Sequence, residues 1–64
     1  MMEVTLEVLS DVELQRGRDI EYLTKGDIVQ AKFSNFGVNL LFGNTWSMEY
    51  SYENIQKCFK VYGQ

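Results

Sequence analysis

A chain of 64 residues with one cysteine, no histidine and no proline forms a single small domain, with no intrachain disulfide to stabilise it. The missing histidine removes the commonest general base and a frequent zinc ligand. The net charge of −3 works against binding to phosphate backbones, which draws mainly on Lys and Arg.

The charge is unevenly spread. Residues 1–27 carry seven acids and three bases, net −4, and residues 28–64 carry two acids and three bases, net +1. Such charges ordinarily form a solvated surface. The N-terminal run Met1-Met2-Glu3-Val4-Thr5-Leu6-Glu7 alternates charged and apolar residues and lacks the apolar stretch of a leader. No apolar run reaches the ~20 residues of a membrane helix. With the lone Cys58, these features predict a soluble, cytoplasmic protein.

In chain order, Val4-Leu6-Val8 reads as a first strand. Ser10-Asp11-Val12-Glu13 fits a capping box, with Leu9 and Leu14 placed as a hydrophobic staple and Gly17 as a C-terminal stop. Residues 10–17 are accordingly either a helix of one to two turns or a long irregular loop. Asp19–Leu23 is a short extended piece leading into the turn Thr24-Lys25-Gly26-Asp27.

Three runs follow that are apolar at every second position: Val29-Ala31-Phe33, Val38-Leu40-Phe42 and Trp46-Met48-Tyr50. They predict an antiparallel meander with one buried and one wet face. The first turn sets Phe33 opposite Val38 and Ala31 opposite Leu40. At the second, a two-residue Gly43-Asn44 loop sets Val38 opposite Glu49 and buries a carboxylate at a cost of several kcal/mol. An odd, bulged loop Gly43-Asn44-Thr45 instead sets Phe42 opposite Trp46 and Val38 opposite Tyr50, and is expected on that ground. Tyr52, Ile55 and Phe59 then fall at helical spacing, which predicts a 3₁₀ or short α turn near 52–57 before a last short strand.

This succession resembles the SH3-like small β-barrel over nearly the whole chain. The nearest local likeness is Asp19-Ile20-Glu21-Tyr22-Leu23-Thr24-Lys25-Gly26-Asp27-Ile28-Val29, which is similar to the acidic segment and Lys-Gly-Asp/Glu turn before the second SH3 strand. The resemblance implies a mainly β fold over residues 1–64, a five-stranded small barrel closed by pairing of the first and last strands. It does not extend to the proline-peptide groove. The first-strand Ala-Leu-Tyr-Asp-Tyr-like run is replaced by Leu6-Glu7-Val8-Leu9-Ser10-Asp11, and Trp46 follows the second meander turn rather than opening the third strand. In size and style the chain is also similar to small phage-encoded accessory proteins, which implies a regulator or inhibitor acting on a host protein.

No catalytic constellation is legible, and an enzyme is not expected. Cys58 has no histidine to activate it and reads as a half-buried structural thiol. Asp19, Glu21 and Asp27 match no calcium-loop spacing, so neither a metal nor any other cofactor is expected. Phe33, Phe42, Trp46, Tyr50 and Phe59 fit the core face and read as packing. Phe36 sits in an exposed turn, Leu41 on the polar face of the middle strand, and Tyr22 and Tyr62 at element ends. With Lys32 they are the candidate residues for a protein partner, unless the loop at 9–23 folds over Leu41. Two alternatives stand beside this reading. One is nucleic-acid binding through Lys32, Lys57 and Lys60 with stacking from Phe36 or Tyr62, which the acidic charge disfavours. The other is a structural subunit or homodimer pairing through an edge strand.

Overall fold

The computed structural model describes residues 2–63; Met1, which opens the run read above for a leader, and Gln64 lie outside the described residues. Seven strands and one helix follow one another: β1 (Met2–Val8), β2 (Val12–Arg16), β3 (Asp19–Leu23), β4 (Ile28–Ser34), β5 (Gly37–Phe42), β6 (Thr45–Trp46), α1 (Tyr52–Cys58) and β7 (Phe59–Val61). The fold is mainly β, with one antiparallel sheet in the order β6-β5-β4-β1-β7 and a separate β2–β3 hairpin.

Alternation sets the faces of the large sheet. Leu6 opposes Val29, Ala31 opposes Leu40 and Phe33 opposes Val38, so one apolar face is assembled from β1, β4 and β5. Leu6, Val8, Val29, Ala31, Val38 and Leu40 are buried there, joined by Leu14 of β2, Ile55 of α1 and Phe59 of β7. Each buried Leu, Val, Ile or Phe contributes ~1.5–3 kcal/mol. Ordering the backbone costs ~1–2 kcal/mol per residue, so a domain of this size has little margin.

The expected pairing of first and last strands is present, with Leu6 opposite Val61 and Val8 opposite Phe59. The sheet nevertheless does not close into a barrel. β6 and β7 are its two edges, and among the described residues they are not paired with each other. The chain leaves β6 after two residues and returns through α1, which packs on β5 and β7 with Ile55 buried beneath it. A helix occupies the space across which the barrel would have closed. The turn expected near 52–57 is this α-helix, and Ser51 Oγ caps it by accepting from Asn54 N at 3.2 Å.

Residues 10–17 are neither helix nor irregular loop. Val12–Arg16 is a strand paired with Asp19–Leu23 around Gly17-Arg18. The cap is not formed: Asp11 Oδ1 accepts from Lys25 N at 2.9 Å, which ties together the two stalks of the hairpin. The staple is not formed either, since Leu9 is exposed and Leu14 enters the core. Period-two placement of Val12 and Leu14 turns both toward the sheet and leaves Glu13 and Gln15 in water, and this burial outweighs a local cap worth ~1 kcal/mol. Gly17 takes φ +61° in the turn, with open space around it.

The second meander turn also differs from expectation. Phe42 opposes Thr45 and Leu41 opposes Trp46, which is the two-residue Gly43-Asn44 loop. The Val38–Tyr50 pairing expected from the odd loop is present all the same. The extra residue lies further on, at Met48-Glu49, and there Glu49 reaches solvent. Ser47 makes this possible. It is buried opposite Leu40, its N–H donates to Leu40 O at 2.8 Å, and its Oγ accepts from Leu40 N at 2.9 Å while donating to Met48 O at 2.7 Å. Asn39 Nδ2 donates to Ser47 O at 2.8 Å and holds the bulge from the other side. Trp46 and Met48 consequently face away from the core.

Gly37 accommodates the returning strand. It takes φ +146°, and a Cβ on it would lie 2.5 Å from the Tyr50 carbonyl oxygen. Gly37→Ala is expected to lower stability by about 3 kcal/mol, through steric displacement of Tyr50 added to an unfavourable φ. Gly17→Ala, strained but unobstructed, should lower it by about 1 kcal/mol. Urea denaturation of both variants tests the ordering, and equal losses would show that the contact with Tyr50 is unimportant.

Candidate protein-interaction surface

The apolar face of the sheet is not covered along its whole length. Beyond the edge of α1, Leu6, Phe33, Tyr52, Ile55, Phe59 and Val61 line a recess of about 270 Å³. A second recess, of about 420 Å³, continues from Phe33 and Tyr52 past Met2 to the β4–β5 turn, where Phe36 stands. The rings of Phe33 and Tyr52 lie 5.9 Å apart between the two recesses and form their shared wall. Register explains the placement: Met2 opposes Phe33, so the N-terminal end of β1 extends the apolar face past the reach of a seven-residue helix. Phe36 is 83% exposed, and Met2, Tyr52 and Val61 are exposed beside it. The turn that presents Phe36 is braced locally, with Ser34 Oγ accepting from Phe36 N at 3.2 Å.

The five residues singled out from the sequence fall in four places. Phe36 belongs to this cleft. Lys32 and Leu41 lie on the opposite, outward face of the sheet, where Leu41 opposes Trp46 and is half-buried. Lys32 Nζ sits 4.0 Å over the Trp46 ring, a cation–π contact that occupies both groups. Tyr62 continues β7 beside Thr5, its N–H donating to Thr5 O at 2.9 Å. Tyr22 projects from the outer side of the β2–β3 hairpin opposite Glu13, 68% exposed. Sequence reasoning missed Met2 and the joining role of Tyr52, and it put Trp46 and Met48 in the core. The Gly43-Asn44 pair was the available signal for Trp46, because a two-residue loop pairs it with Leu41.

Two of the lysines that a nucleic acid would need are engaged: Lys32 over Trp46, and Lys60 with its Nζ 3.8 Å from Glu7 Oε1. Cys58 is a free, half-buried thiol. Among the described residues no cluster of three or more His, Cys, Asp or Glu side chains is placed to hold a metal ion, and no helix is long and apolar enough to cross a membrane.

A different polar site joins the hairpin to the sheet. Tyr50 Oη donates to Gln15 O at 2.7 Å, and the Arg16 guanidinium lies 5.4 Å over the Phe42 ring while bonding Glu21 Oε1 at 2.9 Å. Burial pushes the Tyr50 phenol above its ordinary pKa of 10.0, with Ser47 and Arg16 opposing in part and Glu21 adding to the rise. No protein-family model matches the sequence, and no curated protein or solved structure is significantly similar to it.

The raised Tyr50 pKa carries a signed expectation. Between the unfolded value near 10 and the higher folded value, the native state retains a proton that the unfolded state has lost. The stabilisation is therefore complete below about pH 10 and is lost as the pH rises through the folded value. In urea titrations at pH 9 and pH 11, wild type should lose more stability across the interval than Tyr50→Phe. Equal losses would mean that the Tyr50 phenol titrates alike in the folded and unfolded chain.

Proposed function

We propose that this chain is a non-enzymatic protein-interaction module of SH3-like architecture, a small regulator or inhibitor of a larger protein. The observation that carries the reading is the exposed apolar cleft running from Phe36 past Tyr52 to Val61 on a chain of only 64 residues. A recess with aromatic walls suits an apolar or aromatic anchor from a partner. The partner class is a protein segment presenting such anchors.

The SH3-like part of the proposal draws support from connectivity. β1 pairs with both β4 and β7, a hairpin fills the long connection from β1 to β4, a meander follows, and a helical turn precedes the last strand. The barrel on this reading is partly open. Fold alone does not name an activity, so the functional proposal rests on the cleft. The non-enzymatic part rests on a sequence without histidine and a cysteine with no activating neighbour.

Affinity capture with immobilised wild type, a Phe36→Ser/Tyr52→Ser double variant and a Tyr22→Ser variant, read by quantitative mass spectrometry, tests the proposal. At least one protein should fall about tenfold or more in recovery with the double variant, the size expected for loss of two apolar anchors, and remain unchanged with Tyr22→Ser. Equal recovery of every captured protein on all three baits would remove the cleft from the reading.

A further inference from the structure

The β2–β3 hairpin is attached to the large sheet very unevenly. At its base, Val8 N–H donates to Asp27 O at 2.9 Å and Gly26 N–H donates to Val8 O at 2.8 Å, stitching both stalks to the end of β1. Between Val12 and Leu23, among the described residues, the two sheets share no ladder. The other polar contacts of this segment are internal to it: Arg16 with Glu21, Lys25 N with Asp11, and Thr24 N with Asp27. Across the gap run one hydrogen bond, from Tyr50 Oη to Gln15 O, one cation–π contact, from Arg16 to Phe42, one fully inserted side chain, Leu14, and two half-buried ones, Val12 and Leu23, at the base. The recess between the two bodies measures about 430 Å³, with Val29 and Phe42 on the sheet side, Arg16, Glu21 and Leu23 on the hairpin side, and Leu41 and Gly43 at its open margin.

We propose that the hairpin is a hinged flap that opens as a unit over the Phe42 recess, with Tyr50 as its latch. The hinges are residues 10–11 and 24–25, which flank β2 and β3 outside any ladder; Leu9, whose N–H donates to Cys58 O at 2.7 Å, and Gly26 stay with the sheet. Opening withdraws Leu14 from the core and breaks the Tyr50–Gln15 bond, while β1, β4, β5 and β7 stay paired. It uncovers the Phe42 ring and widens a recess that has an ion pair, Arg16–Glu21, at its rim. This device is separate from the Phe36 cleft and independent of the interaction proposed there.

Native-state hydrogen exchange distinguishes a flap from a fully cooperative domain. An isolated two-stranded hairpin is marginal in water, so the detached flap frays and its amides exchange. In wild type, the paired amides of residues 12–23 should therefore be less protected than those of β4 and β5. Tyr50→Phe should lower hairpin protection by about fivefold, the factor for one ordinary hydrogen bond. Ile55→Val provides the decisive arm, because Ile55 stays packed whether the flap is open or closed. It should lower protection in β4 and β5 by about fivefold and leave residues 12–23 unchanged. Equal protection of hairpin and sheet in wild type, or a parallel loss in the hairpin with Ile55→Val, would show that the hairpin opens only when the whole domain unfolds.

Discussion

A strand pair that changes register part-way along leaves a backbone amide without its ladder partner, and a buried amide left unpaired costs ~1–3 kcal/mol. Here the amide is that of Leu40, and the Ser47 hydroxyl takes it. Much of the structure depends on that bond. Before it, β5 and β6 run in the register of a tight Gly43-Asn44 loop; after it, Val38 meets Tyr50 one residue later. The tight loop turns Trp46 outward, and the step after Ser47 brings Tyr50 inward and leaves Met48 and Glu49 in water. The chain stays on β5 as far as Tyr50 and only then turns into α1, which packs on β5 and β7.

The two bodies of the molecule are linked through the same step. Tyr50 reaches Gln15 because it points inward, and it points inward because of the bulge that Ser47 holds. Gly37 leaves room for the Tyr50 carbonyl to approach β5. Beyond the backbone bonds at its base, the hairpin is thus held by side-chain contacts, the Tyr50 bond among them, rather than by a ladder. A domain with so small a core does not gain much from each of its parts, and the part joined by the fewest bonds is the first to separate.

Most of the large sheet was legible in the sequence because period-two alternation is a burial signal, and burial is what fixes β1, β4 and β5. The pairing of Phe33 with Val38, the last short strand and the helical turn near 52–57 followed from spacing alone. Three features were not legible, each because a local rule competed with a tertiary one. Ser10-Asp11-Val12-Glu13 satisfies the rule for a helix start, yet Leu14 gains more from the core than a cap supplies. A bulge was required to keep Glu49 out of the core, but its position depended on Ser47 bonding Leu40, and no periodicity reports that. Closure of the barrel depended on whether the edges meet, which strand patterns do not determine. At the site level, Phe36 was legible because an aromatic in a tight turn has nothing to pack against. Of the other residues chosen for a partner, Tyr22 and Tyr62 are exposed and Lys32 and Leu41 half-buried, and the sequence carries no information about which of them share a surface.

Four of the exposed apolar residues share one surface. Met2, Phe36, Tyr52 and Val61 lie along the cleft at the open margin of the sheet, whereas Trp46 and Lys32 satisfy one another on the opposite face and Tyr22 and Ile20 stand apart on the hairpin. A cation–π pair neutralises the most hydrophobic ring of the outward face, but nothing among the described residues does the same for Phe36. Its turn is braced by the Ser34 hydroxyl, and the neighbouring Gly37 admits no Cβ without displacing Tyr50. On the proposed reading, a braced turn lowers the ordering cost of association. The strand that steps by one residue around Ser47 is the one that passes close over Gly37, so the same step that shapes the fold sets the space beside Phe36.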